Sequence, residues 1–137
     1  MKAITKLTGI LIISLLAAAC ATTPFKLEEK YNFDNELQEA TEISNWRIDS
    51  WESIDYQSLI IRTDFNEYYM VILNRPAVSL PFSESIGITI TASGVRPGFD
   101  NIIVSDSYGS ESYIIHKIYK LKDREQATAI KNRIRGK

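Results

Sequence analysis

The segment Glu67-Tyr-Tyr-Met-Val-Ile-Leu73 constrains this chain more than any other stretch. Successive residues of a strand point to opposite sides of a sheet, so an unbroken apolar run places bulky groups on both faces. A strand of that kind must be covered on both faces. The chain therefore needs a sheet with a core on each side and this segment in its middle. With 137 residues, one domain must supply both cores. The length also excludes an α/β barrel or a full dinucleotide-binding enzyme.

Ser58-Leu-Ile-Ile-Arg-Thr63 precedes it, and Asp64-Phe65-Asn66 between the two supplies turn residues, the strongest hairpin signal in the chain. Trp46–Ile54 reads as an earlier strand with an irregularity, because its apolar positions do not alternate cleanly. Ile86, Ile88 and Ile90 alternate with Gly87, Thr89 and Thr91, a half-buried strand. Phe99–Val104 and Tyr113–Leu121 are the last strands, with a polar Ser/Asp/Gly loop expected between them. Pro76 and Pro81 break the chain, and Arg96-Pro97-Gly98 predicts a type II turn.

Leu37, Ala40 and Ile43 recur at a spacing of three, which predicts a short helix over Asn35–Ile43 capped by Asp34 or Asn35. Asp123-Arg-Glu-Gln126 reads as a capping box opening a second helix with a stripe of Ala127, Ile130 and Ile134. The fold expected is mainly β (α+β): a curved antiparallel sheet or small barrel of about six strands, with a short N-terminal helix and a C-terminal helix.

The N-terminus has a different character. Lys2 and Lys6 precede an apolar run from Leu7 to Leu16, followed by Ala17-Ala-Ala-Cys20. A basic start, a short apolar run and a small-residue cleavage region make a secretory signal peptide. A helix from Leu7 to Ala19 rises only about 20 Å, short of the ~30 Å hydrocarbon core of a bilayer. Leu16-Ala-Ala-Ala-Cys20 further resembles the lipobox of bacterial lipoproteins, although Ala17 stands where the usual box has leucine. The resemblance implies cleavage between Ala19 and Cys20 and lipid attachment at Cys20. An ordinary secreted protein cut at Ala-x-Ala is the competing reading. Ala21 lacks the acidic character that holds such proteins in the inner membrane, which by the same analogy favours the periplasmic leaflet of the outer membrane.

The expected organisation is a signal peptide over 1–19, a lipidated cysteine and tether over 20–33, and one small β-rich domain over 34–137. After cleavage 14 bases stand against 17 acids. From Lys117 to Lys137 there are eight bases and two acids. That bias marks either a surface for anionic lipid or polymer, or a basic helix lying against the acidic rest of its own domain.

Trp51 to Lys131 as a whole resembles a family of Gram-negative lipoproteins defined as domain of unknown function 6491. The matching stretches are Trp51-Glu-Ser-Ile-Asp55, Leu59-Ile-Ile-Arg-Thr63, Asn66-Glu-Tyr-Tyr69, Leu80-Pro-Phe-Ser-Glu-Ser-Ile-Gly-Ile-Thr89, Phe99-Asp-Asn-Ile102 and Ile115-His-Lys-Ile118. The resemblance implies export and an envelope location but no activity. Members often carry two cysteines where this chain has Ala77 and Tyr113, which implies that those residues are neighbours at disulfide distance.

Little catalytic chemistry is legible. One cysteine excludes an intrachain disulfide, a CxxC centre and a multi-thiolate zinc site. His116 is the only imidazole, lies in an apolar strand and lacks a GxSxG elbow upstream. Asp49, Glu52, Asp55, Asp64 and Asp100 are the acids available for paired-carboxylate hydrolysis, though Asp100 suits the adjoining turn better. No calcium loop or phosphate-binding loop is present, so no metal or cofactor is expected.

The leading expectation is an outer-membrane-anchored, periplasm-facing lipoprotein. It would act as a non-enzymatic binding or structural module, touching the membrane through acyl chains and a periplasmic protein or envelope polymer through its domain, with no role for nucleic acid. The alternatives are a small-ligand or lipid-binding barrel lined by Phe65, Tyr69, Met70 and Phe82, and a cell-wall hydrolase.

Overall fold

The segment singled out by its two apolar faces is the fourth of seven antiparallel strands, and all six residues of Tyr68–Leu73 are buried. The structure is a computed structural model and describes residues 26–137. Its strands are β1 (Gln38–Glu39), β2 (Ile48–Ser53), β3 (Ser58–Thr63), β4 (Tyr68–Leu73), β5 (Ile86–Ile88), β6 (Asn101–Asp106) and β7 (Gly109–Leu121), followed by the helix α1 (Arg124–Arg135). They form one curled half-barrel sheet in the order β2-β3-β4-β7-β6-β5, with β1 paired to β7 off this path.

The alternation of β3 and β4 sorts their side chains into two cores. Leu59, Ile61, Tyr69, Val71 and Leu73 join Ile102, Val104, Tyr113, Ile115 and Ile118 on the inner face, around which the sheet curls. Ile60, Tyr68, Met70 and Ile72 join Tyr119 and Leu121 on the outer face, under Ala127 and Ile130 of α1 and under Tyr31 and Phe33. Fully burying one such side chain stabilises by about 1.5–3 kcal/mol, so both faces of β4 contribute.

Strand β7 holds the sheet together by changing sides. Its Tyr113 and Ile115 face the inner core, and so does Ile118, which breaks the alternation. A register shift opposite Ile72 and Leu73 explains this: Lys117 pairs Ile72 but Ile115 pairs Leu73, so one extra residue enters at His116. Such a bulge switches parity, because the side-chain period is two. β2 uses the same device at Asp49 (Ile48 pairs Thr63 and Ser50 pairs Arg62), which lets Ile48 and Trp51 both pack inward.

Two expectations fail locally. No helix forms over Asn35–Ile43: a turn closed by the Glu36 and Leu37 amides on the Phe33 carbonyl leads into β1, which pairs Tyr119 and Lys120, and Ile43 bridges Val95. Leu37 belongs to the outer core and Ile43 to the inner one, whereas a helix would have laid both on one stripe. Gly94 admits this crossing, because a Cβ there would lie 2.6 Å from the Ile43 carbonyl oxygen. Nor is there a long polar loop before Tyr113: β6 and β7 pair down to Asp106 and Gly109 across a two-residue turn. Ser105 and Ser110 hydrogen-bond across the pair at 2.8 Å, so serine-rich sequence served a solvated strand face.

Other turns form as their residues dictate. The Phe99 N–H donates to the Arg96 carbonyl at 3.3 Å, and Gly98 has φ +81°, as the third position of a type II turn requires. In α1 the Gln126 N–H donates to Asp123 Oδ1 and the Lys122 N–H to Gln126 Oε1. Gly136, with φ +73°, ends the helix.

Candidate functional site

The half-barrel has two ends, defined by strand direction. The β3–β4 turn, β1 and the end of β7 lie at one; the β2–β3 turn, the Asn74–Phe82 segment and the β6–β7 turn lie at the other. At the first end a cleft of about 460 Å³ opens between the Gln38–Asn45 segment and the β3–β4 hairpin. The turn places Asn66 at φ +61° and projects Phe65, 75% exposed, from the rim. Asn45 Nδ2 donates to Asp64 Oδ1 at 2.6 Å and fastens one lip to the other.

Glu67 lines this mouth between the Lys120 ammonium (3.4 Å) and the Tyr69 hydroxyl, which donates to it at 3.1 Å. Burial and this carboxylate push the Tyr69 phenol up to about 12. Glu39 and Glu42 complete an acidic rim against the single lysine. The cleft thus sets three carboxylates and an exposed aromatic ring around one ammonium group.

A second cleft, of about 440 Å³, lies between α1 and the outer face of β2–β4. Lys131 of α1 meets Glu52 of β2 across it at 2.8 Å, and Arg62, which lines it, meets Asp49 on β2. The basic C-terminal stretch is spent in the same way. Arg133 makes a bidentate pair with Glu36 at 2.7 and 2.8 Å, Lys117 meets Asp34 at 2.8 Å, and Arg135 donates to the carbonyls of Ser53 and Ile54. The Arg133 guanidinium holds the Glu36 carboxyl below its usual range. Of the two readings of the charge bias, the intramolecular one describes these residues.

The carboxylates considered for hydrolysis do structural work. Asp55 Oδ1 accepts from the Gln57 and Ser58 amides and the Ser58 hydroxyl, and its Oδ2 accepts from Tyr31. Burial works to raise its pKa, but these hydrogen bonds outweigh burial and hold it below the usual range. Asp100, fully buried, accepts from the Thr91 and Arg96 amides at 2.8 Å each, the turn-bracing role its position suggested. Asp49, Glu52 and Asp64 are engaged as described. His116 is exposed on β7. Among the described residues no cluster of three or more His, Cys, Asp or Glu could hold a metal ion.

Of the four residues named for a ligand-binding barrel, Phe65 and Tyr69 come together at the acidic cleft and the other two lie elsewhere. Tyr69 faces the inner core, Met70 the outer one, and Phe65 and Phe82 are exposed on opposite ends. Strand alternation separates Tyr69 from Met70. Ala77 and Tyr113 are both buried in the inner core, with the Arg75 guanidinium 4.2 Å over the Tyr113 ring. Ala19 and Cys20 lie outside the described residues. Tyr31 and Phe33, in the span assigned to the tether, are buried under α1; their aromatic identity was the available signal.

Fold and site together define a small half-barrel β domain that carries an acid-rimmed, aromatic-lipped cleft. The chain belongs to the family of unknown function DUF6491, whose model matches residues 3–137. No curated protein and no solved structure matches it.

Proposed function

We propose that this protein is a lipid-anchored component of the bacterial envelope, tied through Cys20 to the periplasmic leaflet of the outer membrane, and that it works by binding rather than by catalysis. One observation carries the reading: the only thiol of the chain is the residue that ends a short apolar leader, in Leu16-Ala-Ala-Ala-Cys20. One acyl chain gives marginal membrane attachment and several give firm attachment, so triacylation of Cys20 makes the association effectively permanent. No described helix is long and apolar enough to cross a membrane.

The binding role is supported by the use of the acids. Asp49, Glu52, Asp55 and Asp100 each hold a fold contact, and a carboxylate so engaged is poorly placed to exchange protons with a substrate. The cleft beside Phe65 is the surface for a periplasmic protein or envelope polymer bearing cationic groups.

Mass spectrometry of the mature protein tests the anchor. The expected N-terminus is an acylated Cys20, and Cys20→Ala should abolish both acylation and membrane recovery. A processed chain free in solution with a bare thiol overturns the reading. A photocrosslinker in place of Phe65 tests the surface: it should capture one discrete partner in intact envelopes, and capture equal to that from an exposed control position would refute it.

A further inference from the structure

The end of the half-barrel opposite the acidic cleft gathers four exposed apolar or aromatic side chains: Tyr56 (50% exposed), Val78 (71%), Phe82 (76%) and Tyr108 (99%). They come from three separate segments that hydrogen bonds lock together. The Ala77 amide donates to the Tyr56 carbonyl at 2.7 Å, joining the Asn74–Phe82 segment to the β2–β3 turn. Ser79 Oγ donates to Asp106 Oδ2 at 2.6 Å and Ser83 Oγ to the Ser105 carbonyl at 3.1 Å, joining it to the β6–β7 turn. The N-terminal segment reaches the domain at this same end, where Tyr31 donates to Asp55 Oδ2 at 2.7 Å and Lys30 lies 3.2 Å from that carboxylate.

We propose that this end is the face with which the domain sits on the bilayer, with Tyr56, Val78, Phe82 and Tyr108 seated at the boundary between lipid headgroups and acyl chains. The inference rests on the anchor reading above. Ten residues separate Cys20 from Tyr31, a fully extended reach of at most about 40 Å, so the anchor enters the domain from this end.

Aromatic side chains with one polar tip suit that boundary, and exposed apolar groups gain from leaving water there. Arg75 pairs with Glu111 at 2.8 Å and Lys30 with Asp55, and the Asp106 carboxylate is held by the Ser79 hydroxyl and the Tyr108 and Gly109 amides, which limits the desolvation cost of approach. The other end also exposes aromatics, Trp46 and Phe65, but Glu39, Glu42 and Glu67 surround its cleft and repel an anionic surface. The acidic cleft thus points away from the membrane toward the periplasmic space.

The test uses the full lipidated protein in vesicles of phosphatidylethanolamine and phosphatidylglycerol. Phe82→Cys, Val78→Cys, Tyr108→Cys and, at the far end, Phe65→Cys are made one at a time; with Cys20 in thioether linkage, each new thiol is the only one. All four positions are exposed, so the fold tolerates the changes. A polarity-sensitive fluorophore at 82, 78 and 108 should show blue-shifted emission and quenching by spin-labelled lipid, while the label at 65 should report water. Equal exposure of 82 and 65 in protein that floats with the vesicles overturns the orientation and leaves the anchor standing. Protein that fails to float, with Cys20 itself taking the label, overturns the anchor and the orientation with it. Shielding of 82 in native envelopes but not in vesicles assigns the patch to a protein partner and also overturns the proposal.

Discussion

The Tyr31 phenol donates a 2.7 Å hydrogen bond to Asp55 across 24 residues of sequence, joining the start of the packed domain to the β2–β3 turn. Asp55 simultaneously caps the turn through two amides and the Ser58 hydroxyl. Asp55→Ala should cost about 2–4 kcal/mol, because it strands several donors in a part-buried site. Urea unfolding measures this; a loss below roughly 0.5 kcal/mol, the ordinary surface value, would refute the capping role.

Acid should weaken the domain through the same carboxyl. Its folded-state pKa lies below its ordinary value of 3.8, so in acid the unfolded chain binds the proton first. The stabilisation is fully present above about pH 5 and is lost as pH falls through the folded value. Asp55→Asn should lower stability at neutral pH and flatten its decline below about pH 4. Thermal melts across that range would show the two curves converging; parallel curves would contradict the assignment.

Asp100 presents a buried case of the same logic, with its two oxygens dividing the Thr91 and Arg96 amides between them. Asp100→Ala leaves both donors without partners and should cost about 2–5 kcal/mol. Asp100→Asn keeps one acceptor and should recover part of that. Equal losses in the two variants would show that the pair of bonds is not what holds the turn.

The bulge in β7 predicts that residue count matters there more than residue type. Deleting His116 only removes the extra residue, since Lys117 keeps Ile72 and Ile115 keeps Leu73 in regular register, so that variant should fold. Deleting Ile114 makes Tyr113 and Ile115 adjacent and turns one of them to the outer face, so that variant should lose its cooperative melt. Circular dichroism and proteolysis distinguish the two; equal stability of the two deletions would refute the parity argument.

The family pattern predicts a last variant. Ala77 and Tyr113 share the inner core, and Ala77→Cys combined with Tyr113→Cys should form a bridge on oxidation, worth about 2–4 kcal/mol against the reduced form. Free thiols after oxidation would show that the two positions are not disulfide neighbours.

Much of this fold was legible because two-residue periodicity is a local signal. Ser58–Thr63 and Tyr68–Leu73 pair as the hairpin their alternation announces, and Asp123 caps α1 as its sequence suggests. The misread segments are those where tertiary pairing overrode local pattern. Asn35–Ile43 has helical spacing, but the unpaired edge of β7 and the opening at Gly94 draw it out as β1 and the Ile43–Val95 bridge. The Ser105–Ser112 stretch reads as a loop, yet its ladder partners make it strand. The acidic cleft was illegible for the same reason: Glu39, Glu67 and Lys120 are far apart in sequence and meet only because β1 and β4 flank β7.

The sequence by itself determined that a central strand would be buried on both sides, that turns would fall at Asp64–Asn66 and Pro97–Gly98, and that a capped helix would close the chain, since each depends on near neighbours and side-chain periodicity. Only the tertiary structure decided where the bulges switch parity, which carboxylates became fold contacts, and which end gathered Tyr56, Val78, Phe82 and Tyr108. Those outcomes depend on which strands lie side by side, and strand pairing is settled by long-range burial that no short window of residues contains.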